Sequence, residues 1–176
     1  GNRSSKTKSS AQSTTHFEPR AEALAPNATC SACLLIKDDN DILAEWLAYH
    51  YHTMNLRNLI VAVDPSSNES PSEILQKWRL LTDMKIREWT DSSYMPAAFL
   101  KTGRTPPSEV QVNDLVNATD EAVVLVANHR YRQRVFLSKC MRAFRQDGLS
   151  WVIHIDTDEF VVASKLLRQM NPEYVA

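Results

Sequence analysis

The sequence has no apolar run approaching the roughly 18 to 20 residues that span a bilayer, so no stretch of it reads as a transmembrane helix. It has no excess of basic charge: 20 Lys and Arg stand against 21 Asp and Glu, a formal net charge of -1. A surface built for a phosphate backbone needs positive charge, so nucleic acid is not an expected partner. Cysteine is sparse and odd in number, with three residues in all. Two of them form Cys30-Ser-Ala-Cys33, but a zinc site needs a second ligand pair at suitable spacing and none is present. A redox dithiol belongs at a helix N-terminus, where the dipole lowers the thiol pKa, whereas Leu34, Leu35 and Ile36 continue as a strand. The expectation is a small buried Cys33 within a strand and Cys30 at its entrance. The sequence also lacks an initiating Met and stops at Tyr174-Val175-Ala176 without a clear closing element. A segment of a longer protein, truncated at the C-terminus, is expected, with any membrane anchor outside it.

At 43% hydrophobic content the 176 residues can bury one core of ordinary size. Residues 1–28 are dominated by Ser, Thr, Lys, Ala and Pro without apolar periodicity and read as a flexible stem or tail; residues 29–176 read as the folded part. Four Asn-x-Ser/Thr sequons, at Asn2, Asn27, Asn68 and Asn117, fall in stretches read as tail or loop and suggest the secretory pathway.

In chain order, Cys30 to Lys37 reads as a strand, and the polar run Lys37-Asp38-Asp39-Asn40-Asp41 supplies capping side chains for a helix. Ile42, Leu43, Trp46, Leu47, His50 and Met54 recur at helical spacing. A second strand, Leu59 to Val63, ends at Asp64-Pro-Ser-Ser. Ser70-Pro-Ser-Glu73 has the composition of a capping box, with Ile74, Leu75, Trp78 and Leu81 inward on the helix it opens. Met84 to Trp89 alternates like a strand nearer the sheet edge. Residues 90 to 117 read as a long excursion, the class of segment that often serves as a lid or binding element. Phe136, Cys140, Ala143 and Phe144 restore a helical pattern that stops at Gly148, while Glu121 to Ala127 fits either a strand or the first turns of that helix. The order β-α-β-α-β-loop-α-β implies an α/β fold with a mostly parallel, Rossmann-like sheet.

The chain converges on Trp151-Val-Ile-His-Ile-Asp-Thr-Asp-Glu-Phe160, where a run expected to be a strand buried on both faces stops at Asp156, Asp158 and Glu159. Ligands of open α/β sheets bind beyond the carboxyl ends of the strands. Asp156 and Asp158, two apart, can converge on one hard divalent cation that offsets their repulsion, and such a cation clamps a diphosphate. The competing reading of these acids is a turn or helix-capping cluster. Asp64 is read equally as a simple Asp-Pro turn or as a ligand contact. Arg130, Arg132 and Arg134 are candidates for stabilising a leaving diphosphate or, individually, for a solvated basic face. His154 is expected to be a satisfied core histidine. His50 and His52, two apart on a helix, make a poor metal pair.

Two blocks resemble known enzymes. Cys33-Leu-Leu-Ile-Lys-Asp-Asp-Asn-Asp-Ile-Leu-Ala-Glu-Trp-Leu-Ala-Tyr-His50 is similar to the opening of family 2-like and family 92-like glycosyltransferases. Arg132-Gln-Arg134, Cys140 and Trp151 through Asp156-Thr-Asp-Glu-Phe160 resemble that family's helix feeding a strand that ends in Asp-x-Asp-Glu-Phe. The resemblance, over about 30 to 162, implies the nucleotide-binding half of a GT-A type fold. It implies a nucleotide-sugar donor, with a UDP-sugar expected, and a manganese or magnesium ion (Mn2+ or Mg2+) on Asp158, with Asp156 sharing the metal or contacting the ribose. Asp38, Asp39 and Asp64 match positions that hold the nucleoside. It further implies a glycan or glycoprotein acceptor and a Golgi or secretory-pathway lumen, with membrane attachment through a segment outside this chain. The family's catalytic base lies beyond the Asp-x-Asp, and none is named. Two rivals stand beside this reading: an aspartyl-nucleophile phosphohydrolase, which also places Asp-x-Asp after an apolar strand, and a non-catalytic nucleotide- or partner-binding domain.

Overall fold

The computed structural model describes residues 29–109, 121–149 and 151–162. The stem assigned to residues 1–28 and the sequons at Asn2, Asn27 and Asn117 lie outside them. The elements are β1 (Cys30–Ile36), α1 (Asn40–Thr53), β2 (Leu56–Val63), α2 (Ser72–Leu81), β3 (Lys85–Trp89), α3 (Asp91–Tyr94), α4 (Ala97–Thr102), α5 (Glu121–Gln146) and β4 (Val152–His154), with a 3-10 turn at Pro107–Glu109. The four strands form one all-parallel sheet in the order β3-β2-β1-β4. The chain is therefore an α/β fold.

Alternation along the central strands builds a layer on each side. Ala32, Leu34 and Ile36 of β1 and Leu59 and Val61 of β2 pack with Leu43, Trp46, Leu47 and Leu75 of α1 and α2. Cys33, Ile60 and Ala62 face the other way, onto Tyr94, Phe99, Tyr131, Phe136, Cys140 and Phe144. Both faces of β1 and β2 are thus covered, which is why their sequences are continuous apolar runs. The path runs outward from β1 through β2 to β3, then returns through α5 to the opposite side of β1. The strand order consequently reverses between β1 and β4, the type of position where α/β sheets open a crevice for ligands.

Cys33 is buried within β1 and Cys30 opens the strand, as expected; Cys33 is in addition disulfide-bonded to Cys140 of α5, 107 residues away, leaving Cys30 as the free, buried cysteine. The bridge joins β1 to the helix on its second face, a pairing that sequence spacing does not signal. β4 is not buried on both faces: Trp151 is 62% exposed and His154 is exposed, because among the described residues β4 pairs with β1 alone and its other edge has no partner strand. His154 is accordingly no core histidine. Of the two readings of Glu121 to Ala127 the helical one holds: these residues form the first turns of α5, leaving Leu125 and Val126 exposed. The Ser70–Glu73 capping box does not form, since α2 begins at Ser72 with Pro71 at its N-cap; Ser70 Oγ instead accepts from the Ser72 amide at 3.3 Å. Leu81, expected inward, is 82% exposed at the helix end. A capping box does form at the next helix, where Thr90 and Ser93 bond reciprocally at the start of α3.

The described part of the excursion is tied down. Asn128 of α5 accepts from the Thr105 amide and hydroxyl at 2.9 Å each and donates to the Gly103 carbonyl at 2.8 Å. Gly103 ends α4 in the left-handed region (φ 63°), where a side chain would be strained. Residues 110–117 of the excursion lie outside the described residues.

Candidate functional site

The carboxyl ends of β1, β2 and β4 each carry acids, and each acid has a different occupation. Asp39 sits at the N-cap position of α1 without capping it. Its Oδ2 accepts instead from the Thr157 hydroxyl at 2.9 Å and the Lys37 amide at 3.3 Å. The expectation that the Asp run supplies an N-cap side chain is therefore corrected: the Asp39 carbonyl accepts from the Ile42 and Leu43 amides, and Asp41 Oδ1 accepts from the Ile42 amide at 3.0 Å. Asp38 takes a left-handed backbone (φ 55°), a conformation Asp tolerates better than most residues. Its carboxylate binds the loop after β2: Oδ1 accepts from the amides of Asn68 (2.5 Å) and Glu69 (3.1 Å), and Oδ2 from Asn68 Nδ2 (3.0 Å).

Asp64, at the end of β2, is only 4% exposed. Its Oδ1 accepts from the Ser66 amide at 2.8 Å and hydroxyl at 2.6 Å, which is the turn expected of Asp-Pro-Ser-Ser. Its Oδ2 faces His129 Nδ1 of α5 at 3.6 Å. The turn reading of Asp64 therefore holds for Oδ1, while Oδ2 is turned toward α5. Burial pushes its pKa upward, but the Ser66 hydrogen bonds, the Arg132 charge and His129 outweigh burial and hold the carboxyl below its ordinary value.

After β4, the Glu159 amide donates to the Asp156 carbonyl at 3.1 Å while Glu159 Oε2 accepts from the Asp156 amide at 3.0 Å. Glu159 thus closes the turn on which Asp156 and Asp158 are presented. Thr157 between them is buried at 6% exposure and anchors the turn to Asp39, whereas Asp156 and Asp158 are exposed. Among the described residues neither of their carboxylates has a hydrogen-bond or ion-pair partner. No group of three or more His, Cys, Asp or Glu gathers around a metal-sized point among the described residues.

Of the arginines, Arg132 donates to Asp91 Oδ2 at 2.9 Å, and Tyr94 donates its hydroxyl to the other oxygen of Asp91 at 3.0 Å. Burial, then the Asp91 charge, raises the Tyr94 pKa well above its ordinary value. Arg134 points elsewhere: it donates to the Glu109 carbonyl at 2.7 Å and lies 3.7 Å from the Glu109 carboxylate. Arg130 is exposed. A cleft of about 610 Å³ opens beside Asp64, lined by Asn68, Ser70, Glu88, Thr90 and Asp91 among others. The structure brings Asp39, Thr157 and the Asp156–Asp158 turn together, and Asp64 together with Arg132; Arg134 stands apart from both groups. His129 and Asp91 were missed in the sequence. The available signal for His129 was its helical spacing, three before Arg132 and seven before Phe136, which places it on the sheet-facing side of α5. Comparison with protein-family models, with curated proteins and with solved structures returned no significant match.

Proposed function

We propose that the chain is the nucleotide-binding part of a GT-A type glycosyltransferase, taking a nucleotide-diphosphate sugar with a divalent metal at Asp156 and Asp158. The observation that carries this reading is the presentation of those two carboxylates, unpaired within the described residues, on a turn anchored to Asp39 beside the point where strand order reverses. The residues fit the group. Mg2+ and Mn2+ are hard cations that accept one or two carboxylates and complete their shell with water and substrate phosphate, so a pair of exposed oxygen donors suffices where a soft or all-protein site would need more. When bound, the metal would stabilise negative charge as it develops on the departing nucleoside diphosphate.

The chain's own residues divide the remaining work by charge. The cleft beside Asp64 is walled by carboxylates, Asp64, Glu69, Glu88 and Asp91 among them. Such walls accept hydrogen bonds from ribose hydroxyls and base N–H groups and repel phosphate. The nucleoside belongs there and the diphosphate at the Asp156–Asp158 turn. Arg132 and Arg134 already have carboxylate partners in Asp91 and Glu109, so in this reading the metal carries the main countercharge to the phosphate. The Asp-x-Asp follows β4, the strand beside β1, rather than β1 itself, and so departs from the first-strand placement of an aspartyl-phosphate hydrolase. The Cys33–Cys140 disulfide and an exposed sequon at Asn68 support an oxidising secretory lumen, with a glycan or glycoprotein as acceptor.

Titration calorimetry with a panel of nucleotide sugars, with and without Mn2+, tests this. Metal-dependent binding of at least one UDP-sugar is expected, and Asp158→Asn should weaken it by about tenfold or more. Binding indifferent to Mn2+, or untouched by Asp158→Asn, overturns the reading.

A further inference from the structure

Three side chains on one face of α1, Trp46, Tyr49 and His50, close on the residues after β4. Trp46 Nε1 donates to the Asp156 carbonyl at 3.1 Å, and the Tyr49 hydroxyl donates to the Val161 carbonyl at 2.9 Å. Tyr49 meets the Phe160 ring edge-on at 5.0 Å, and His50 stacks on the same ring at 5.7 Å with 15° between planes. His50 Nδ1 lies 2.9 Å from the Trp46 carbonyl, which can only accept, so that nitrogen carries a proton. His50 Nε2 lies 3.4 Å from the Val161 amide nitrogen, which can only donate, so Nε2 offers its lone pair. Both contacts are met at once only by the neutral Nδ1–H tautomer. His50 is fully buried, and burial, opposed by the Trp46 carbonyl, holds its pKa below the ordinary value. The ionisable group facing it from its own helix is Tyr49; the segment packed against it contributes the Phe160 ring and the Val161 amide.

We propose that His50 is a positioning residue: a neutral imidazole that latches the Val161 end of the Asp156–Val161 segment to α1 and thereby fixes the two metal-binding carboxylates. Trp46 holds the other end at Asp156, so the turn is clamped on both sides of Asp158. An apolar residue at position 50 would fill the space but leave the Val161 amide without its acceptor. The assignment of those carboxylates to a metal rests on the transferase reading; the latch itself rests on the contacts.

Two conservative variants separate the halves of the imidazole. His50→Asn keeps a donor near the Trp46 carbonyl but falls short of Val161, whereas His50→Gln keeps a group at the reach of Nε2. Hydrogen exchange is measured over residues 156–162 with β2 amides as internal reference, and binding of Mn2+ with UDP by calorimetry. In His50→Asn, exchange over 156–162 should rise and Mn2+–UDP affinity should fall by about threefold to tenfold, the worth of one buried hydrogen bond, with His50→Gln restoring both. Unchanged exchange in His50→Asn overturns the latch. Raised exchange with unchanged affinity overturns the positioning role. If the unaltered chain binds no Mn2+–UDP while exchange responds as described, the transferase reading and the positioning of metal ligands fall together and the latch stands.

Discussion

Asp64 shows how one carboxylate ties two parts of the chain together, with Oδ1 on Ser66 and Oδ2 facing His129 of α5. Because its folded pKa lies below its unfolded value, it contributes stability that is present above the ordinary carboxylate range and lost as pH falls through the folded pKa. Asp64→Asn retains an acceptor for Ser66 but removes the charge beside Arg132 and His129. The unaltered chain should therefore melt above Asp64→Asn at neutral pH, and the gap should close as melts are run down to about pH 3. A gap independent of pH would show that the charge is not what matters. Asn128 makes a second prediction at this scale, since its side chain meets two donors of Thr105 and one acceptor of Gly103. Asn128→Ala should cost about 1 to 3 kcal/mol in urea unfolding, the usual penalty for leaving largely buried polar groups unmatched. Of these roles the sequence shows only the Asp-Pro turn. The partners His129 and Thr105 lie far along the chain, and a single sequence carries no mark of which distant polar groups will meet.

Among the elements, β1, α1 and β2 were legible because each is specified locally: apolar runs that must be covered on both faces, and helical spacing from Leu43 to His50. β4 was misjudged because Val152-Ile-His-Ile155 has the composition of a central strand, whereas exposure depends on whether a neighbour pairs with its second edge. The start of α5 was ambiguous for a related reason. Val123-Val-Leu-Val126 suits a strand by propensity, and the helix wins by continuity with the face that carries Tyr131, Phe136 and Cys140. The bond between Cys140 and Cys33 fastens that face to β1. Removing it with Cys33→Ala and Cys140→Ala together should lower stability by about 2 to 5 kcal/mol in urea. Unfolded without reductant, the unaltered chain should show a single titratable thiol, that of Cys30. Three thiols under those conditions would mean the bridge is absent.

At the scale of the whole molecule, the three-layer arrangement was legible as a class, since alternating strands and helices with apolar strand interiors leave few other solutions. The candidate site was legible in part. Asp156 and Asp158 stood out because three acids end an apolar run, and the resemblance pointed to the same pair. The division of the mouth into a carboxylate-walled cleft and a separate exposed acidic turn was not, because it depends on Arg132 being neutralised by Asp91 and on Thr157 reaching Asp39. Both contacts arise from the way α5 and α1 return over the sheet.

The bridge also gives the chain a topology of its own. Cys33 and Cys140 close a covalent ring of chain that holds α1 to α4, β2, β3 and most of α5, with Cys30–Ala32 and β4 on the two arms that leave it. Those arms are zipped to each other in parallel, Ser31 against Val152 and Ala32 against Ile153. A single proteolytic cut anywhere within the ring opens it without separating the pieces. A nicked chain should therefore run as one species on a non-reducing gel and as two after reduction, while a cut in either arm should release its fragment under both conditions.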